Sequence, residues 1–304
     1  MNQAYLRESW ASARYDFAQR LLTSDPVYVG EWQSQKSISA ANTTYEILNA
    51  TFEMQMPPTA DLAARMVGAN LPWAEDHFQE RVSGEPLNPP PSNAWWPFAQ
   101  AGNAMHKAEE KFSHTYPERY WPKRANPQEV MQLPNRAIPY EINMGIRYPF
   151  GDLQDVVDQL YASPYTRQAY LPVFFPEDTG AAFGQRVPCT LGYQFLIREG
   201  AAGKRLHIFY HMRSCDFMRH LADDIYMTIR LAQWMRERLQ ATDLVNDAST
   251  FSGLSLGRLY FTAGSLHIFE PDRLALAAMH REMTNDYSQR LSNYASGNGA
   301  PVDE

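Results

Sequence analysis

The chain has 304 residues, 44% hydrophobic and 13% aromatic, with a formal net charge of −7. That is enough apolar material for one substantial core, and the acidic balance argues against broad nucleic-acid binding, which needs a basic face. Two cysteines make no disulfide framework and no apolar run reaches membrane-spanning length, so a cytoplasmic protein is expected; the opening MNQAYLRESW lacks the layout of a signal peptide.

Leu6, Trp10, Ala13, Phe17 and Leu21 recur at three- and four-residue spacing, which predicts an amphipathic helix over 3–22. Asp25-Pro26 ends it, and a short strand is read over 27–33. Residues 40–54 read as a second helix, capped by Asn42 or Thr43 and carrying Glu46 beside Ile47 and Leu48. A glutamate in that setting is most often simply exposed. The stretch 57–126 is punctuated by proline, with helical pieces near 60–67 and 101–113. Its Trp95 and Trp96 receive no chemical role. Residues 127–149 read as irregular to extended.

From 152 the pattern sharpens. Leu153, Val156, Val157 and Leu160 make a helix face, Ser163-Pro164 a turn, and 169–175 a strand. Cys189, Leu191, Tyr193, Phe195 and Ile197 alternate, so they share one face of a strand. Gly200 to Gly203 turn the chain, and Leu206, Ile208, Tyr210 and Met212 alternate on the way back. A long helix over 221–241 buries Leu221, Ile225, Ile229, Leu231 and Met235. A strand over 256–264 and a last helix from Pro271-Asp272 to about 294 follow. The end, about 297–304, reads as a frayed tail. No internal repeat is found.

The hairpin brings Cys189 toward Arg213, Ser214 and Asp216. A guanidinium favours the thiolate, the nucleophilic form of cysteine. A cysteine is as readily a small buried hydrophobe, and Arg213 with Asp216 can be a local ion pair. Both pairs of readings stay open on spacing alone.

Pro188-Cys189, Tyr193-Gln194-Phe195 and Arg213-Ser214-Cys215-Asp216 together resemble the core of the thymidylate synthases and pyrimidine-nucleotide hydroxymethylases. Ser163 to Ala169 resembles the family's phosphate-binding turn, Gly264 to Phe269 its sugar-binding segment, and Tyr45 to Leu48 its helix bearing a catalytic glutamate. The resemblance covers about 150–269 and the piece near 46; about 55–145 reads as divergent or inserted.

The resemblance implies an α/β (α+β) fold over 1–304 as a single domain: a thymidylate synthase-type mixed sheet with packed helices, paired as a homodimer. It implies Cys189 as the nucleophile at pyrimidine C6 and Glu46 as the group that orders water and moves protons. Arg213, Ser214 and Arg167 would hold the phosphate, with Arg167 supplied to the other subunit. Asp216 would contact the folate cosubstrate, 5,10-methylenetetrahydrofolate, and His267 the sugar. Tyr116 or Tyr148 would lie near the cysteine. No metal is implied.

Departures refine this. Gln168 replaces a second arginine. His220 stands where the family often has glycine near the folate, and Phe269 where it has a sugar-reading tyrosine. Asp224 stands where thymidylate synthases carry asparagine, as in cytidylate hydroxymethylases. An ionised carboxylate only accepts hydrogen bonds, which suits the cytosine amino group and repels uracil O4. Its bland alternative is a charge at a helix start, the role also read for Asp223. The family's apolar closing terminus is missing, which favours attack by water over hydride transfer. The expected activity is 5-hydroxymethylation of dCMP or CMP. The alternatives are a dUMP-modifying enzyme, if Asp224 does not face the base, and a non-catalytic nucleotide-binding regulator.

Overall fold

In a computed structural model, the structure describes residues 9–29, 43–97, 107–108, 111–125, 151–180, 187–201 and 203–295. Its centre is a six-stranded mixed sheet in the order β1-β2-β8-β7-β6-β5. The strands are β1 (Pro26–Tyr28), β2 (Thr43–Gln55), β5 (Tyr170–Pro172), β6 (Thr190–Gly200), β7 (Gly203–Asp216) and β8 (Ser255–Phe269). Neighbours run antiparallel except β7 and β8, which are parallel. Parallel strands need a crossover, and helix α7 (Leu221–Val245) makes it. Around it stand α1 (Trp10–Thr23), α2 (Ala60–Val67), α3 (Trp73–Val82), α4 (Tyr116–Tyr120), α5 (Leu153–Ala162), α6 (Pro176–Gly180) and α8 (Arg273–Ala295). A small separate ribbon pairs β3 (Lys107–Ala108) with β4 (Lys111–Phe112). Among the described residues no helix is long and apolar enough to cross a membrane.

The helices expected near 60–67, along the face of Leu153, Val156, Val157 and Leu160, and over 221–241 form, and Leu221, Ile225, Ile229, Leu231 and Met235 are all buried. Two of the expected helices fail. Residues 43–55 are a strand, so Glu46 is a strand residue and not a helical one. The helix expected over 101–113 is overturned where it is described, since 107–108 and 111–112 are strands. The irregular stretch 127–149, Tyr148 and the tail lie outside the described residues.

The sheet breaks along one level. Burial alternates down β2, β7 and β8, then changes parity between Ile47 and Ala50, between Met212 and Cys215, and between Ala263 and Leu266. Asn49, at φ 53°, makes the break in β2. In β8 it falls at Gly264, where an added Cβ would sit 2.8 Å from the Arg213 carbonyl oxygen. Only glycine allows that approach. Arg213, Ser214, Ser265 and Leu48 therefore come to the same level, and none of them is fully buried.

The core side of the sheet carries Phe52, Tyr210 and Phe261, with α1 packed through Phe17 onto Phe52. The other parity carries Phe209 stacked on Tyr260 at 4.4 Å, with His211 and Thr262, half-buried in the single chain.

Candidate functional site

Cys189 immediately precedes β6. The pairing of β6 with β7 slips between Thr190 and Gly192, a bulge of the kind that re-aims side chains at a strand end. The slip breaks the expected shared face: Leu191 is exposed, while Tyr193, Phe195 and Ile197 are buried. It leaves Cys189 half-buried. Arg213 is anchored around it. Its Nε donates to the Pro188 carbonyl at 2.8 Å and its Nη2 to the Val187 carbonyl at 3.0 Å. Nη2 then lies 3.8 Å from Cys189 Sγ, and Ser214 Oγ lies 3.6 Å from it. A guanidinium and a hydroxyl thus stand within reach of the thiol, the kind of surroundings in which nucleophilic cysteines are found. Cys215 differs: it is 2% exposed, and burial pushes its thiol well above the ordinary range.

Cys189 and Ser214 line a cavity of about 210 Å³, whose walls also carry Asp216, Asp224, Tyr116 and Arg81. Tyr116 opens α4, whose start is fixed by a capping box. The Thr115 hydroxyl accepts from the Glu118 amide at 3.3 Å, and the Glu118 carboxylate accepts from the Thr115 amide at 3.0 Å. The Tyr116 hydroxyl meets Thr190 Oγ1 at 3.0 Å, one residue from the cysteine. Of the two tyrosines expected near Cys189, Tyr116 therefore lies there.

Asp224 sits in the first turn of α7. Burial pushes its carboxyl up to about 7; the Arg81 guanidinium opposes the rise and Asp223 adds to it. Asp223 is no solvated charge at a helix start. It is buried and accepts from the backbone and side-chain nitrogens of Asn70, each at 2.8 Å, tying α7 to the segment before α3. Asp216 is pushed up to about 6 by burial and accepts from the amides of Met218 and Arg219. Its nearest guanidinium is that of Arg219, Nε to Oδ2 3.7 Å, so Arg213 and Asp216 are not an ion pair.

An aromatic wall completes the cavity. Trp73 stacks on His77 at 5.2 Å, Trp96 on His220 at 5.4 Å, and the two tryptophans lie 6.2 Å apart. Burial brings His77 down to about 4, so it is neutral near pH 7, facing Ser92 at 3.0 Å. Sequence reasoning missed Arg81, Trp73 and His77 and gave Trp96 no role. The signal was there in α3, whose buried positions Trp73, Ala74, His77, Phe78, Arg81 and Val82 keep helical spacing.

Glu46, His267 and Arg167 are not part of this cavity wall. Glu46 accepts from Ser265 Oγ at 2.7 Å. It pairs in register with His267, which pairs with Asp216 on β7. The three form one row across three strands, so Glu46 stands about 10 Å from Asp216, two strand spacings away. Burial brings His267 down to about 4. Arg167 is exposed on the turn after α5.

No protein-family model matches the chain, and a search of curated proteins also finds no match.

Proposed function

We propose that the protein is a pyrimidine-nucleotide 5-hydroxymethyltransferase of the thymidylate synthase type, acting on dCMP or CMP. The observation that carries this reading is the cysteine with Arg213 and Ser214 within 3.8 Å, opening onto the same cavity as Asp224. Cys189 would add to C6 of the ring, leaving a nucleophilic carbon at C5. Asp224, when ionised, would accept from the cytosine amino group. Arg213 and Ser214 would meet the phosphate, joined by Arg167 of a second subunit. Tyr116 and Thr190, whose hydroxyls are 3.0 Å apart next to Cys189, would pass a proton beside the reacting ring. Glu46, held by Ser265, would order water at the end of the polar row.

The one-carbon unit would come from 5,10-methylenetetrahydrofolate. The paired stacks of Trp73 on His77 and Trp96 on His220 fit a flat bicyclic ring, with Asp216 nearby to accept from its N–H groups. A homodimer is part of the proposal, and the half-buried Phe209–Tyr260 stack, on the sheet parity opposite Tyr210 and Phe261, supports it.

Asp224 also favours a second reading. A carboxyl at about 7 is neutral in acid, and a neutral carboxyl can donate to uracil O4 and accept from N3–H. A dUMP-modifying activity is therefore the alternative.

The test is release of tritium from C5-labelled dCMP or CMP with the folate present. The unmutated protein should release it. Cys189→Ala should release none while still binding nucleotide, and Cys215→Ala should keep much of the activity. Normal turnover by Cys189→Ala would end the proposed mechanism. No release from the unmutated protein with any pyrimidine nucleotide would favour a binding regulator.

A further inference from the structure

Arg81 has no part in the mechanism above, and folding alone accounts poorly for it. It is 3% exposed, on the buried stripe of α3. Its guanidinium lies over the Tyr116 ring, 4.0 Å from the centroid, and meets the Tyr120 hydroxyl. Its Nε and Nη1 are buried with no hydrogen-bond partner. Its charge acts on Asp224 with no hydrogen bond between the two side chains. A guanidinium is always charged and always a donor. Leaving its N–H groups unpaired in a buried site is costly. The cost is offset once an acceptor enters the cavity that Arg81 lines.

The chemistry of the walls narrows that acceptor. Arg213 is tied beside Cys189, where the phosphate is expected. Asp224 is an acceptor and takes a donor. Arg81 cannot face the cytosine amino group, which is itself a donor. The acceptors left on the base are its ring nitrogen N3 and its carbonyl O2. Resting on the pyrimidine reading above, we propose that Arg81 is a substrate-reading residue that donates to the N3/O2 flank of a cytosine nucleotide while Asp224 accepts from the amino group. The pair then presents a donor and an acceptor to one edge of the ring. Uracil offers only O2 to Arg81, because its N3–H is a donor, so Arg81 adds to the preference for cytosine. Donation from a cation also draws electron density from the ring and favours thiolate attack at C6.

Calorimetric binding tests this without turnover. The ligands are dCMP, dUMP, 3-deaza-dCMP (N3 removed) and 2-thio-dCMP (O2 a poorer acceptor), each measured on the unmutated protein, Arg81→Gln and Arg81→Lys. The unmutated protein should bind at least one analogue roughly tenfold or more weaker than dCMP. Arg81→Gln should bind dCMP roughly ten- to a hundredfold weaker and lose the distinction between dCMP and that analogue. Its loss for dUMP should be smaller. Arg81→Lys, with its charge kept, should fall between. A folded Arg81→Gln that binds dCMP as tightly as the unmutated protein overturns the inference and leaves the pyrimidine reading standing. So does an unmutated protein indifferent to both analogues, and that comparison decides alone if Arg81→Gln does not fold. If the unmutated protein binds no pyrimidine nucleotide, both fall.

Discussion

On the proposed reading, the carboxyl of Asp224 would make base choice depend on pH. Burial pushes it up to about 7 from an ordinary value of 3.8, against the pull of Arg81 and with help from Asp223. At pH 8 about nine-tenths of the molecules carry the ionised form, and at pH 6 about one-tenth, so the ratio of the two forms changes roughly a hundredfold over two units. On that reading the ionised form would accept from the cytosine amino group, and the neutral form could donate to uracil O4. The dCMP-to-dUMP ratio of kcat/KM should therefore rise from pH 6 to pH 8 by up to about a hundredfold. The phosphate of the nucleotide titrates in the same range, but equally for both substrates, so it cancels in the ratio. Asp224→Asn should shift the preference toward uracil and flatten the pH dependence, because its amide has one protonation state. A stability signature accompanies this. The folded state holds the proton more tightly than the unfolded chain, so this contribution is fully present below about pH 4 and is lost as pH rises through about 7. Three units correspond to a ceiling of about 4 kcal/mol. Asp224→Asn should raise Tm at pH 8 and leave it nearly unchanged at pH 4. A base preference in the unmutated protein that stays flat between pH 6 and 8 would refute the assignment of Asp224 as base reader.

The product should carry a hydroxymethyl group and the folate should leave as tetrahydrofolate; steady growth of dihydrofolate absorbance with a methylated product would count against attack by water. Arg119 and Asp178 form a buried two-point pair, with both N–O distances at 2.9 Å. Arg119→Ala leaves the Asp178 charge unpaired and should cost about 3–5 kcal/mol by chemical denaturation, with a loss under 1 kcal/mol contradicting the structural role given to the pair.

Regular elements were legible where their burial is regular. Helix α7 shows an uninterrupted stripe, and the hairpin of β6 and β7 alternates for most of its length. Strand β2 was misread for a physical reason. Its burial changes parity at Leu48 and Asn49, so Ile47, Ala50 and Met54 fall at spacings of three and four, the signature of a helix. Thr43, Thr44 and Thr51 were the contrary signal, since β-branched residues favour strands. In the site, Cys189, Ser214, Asp216 and Asp224 were legible from the motif around them. Arg81 and His77 were missed: the helical spacing of α3 marks their positions as inward, but a cation and an imidazole on that stripe do not by themselves read as a core face. Only tertiary burial shows that they belong to it.

The break in the sheet links these observations. In an unbroken sheet the alternating face would bury one side of each strand against helices, and Ser214, Ser265 and Glu46 would need apolar replacements to be stable there. The change of parity across β2, β8 and β7 frees that level from the core. It brings polar side chains into register across the strands, Ser265 with Ser214 beside the exposed Leu48, then Glu46 with His267 and Asp216. Helix α7 starts five residues after Asp216 and returns Asp224 to the same cavity. Groups far apart in the sequence thus meet because one strand level gives up its packing. Asn49 and Gly264 are the residues whose backbones allow it.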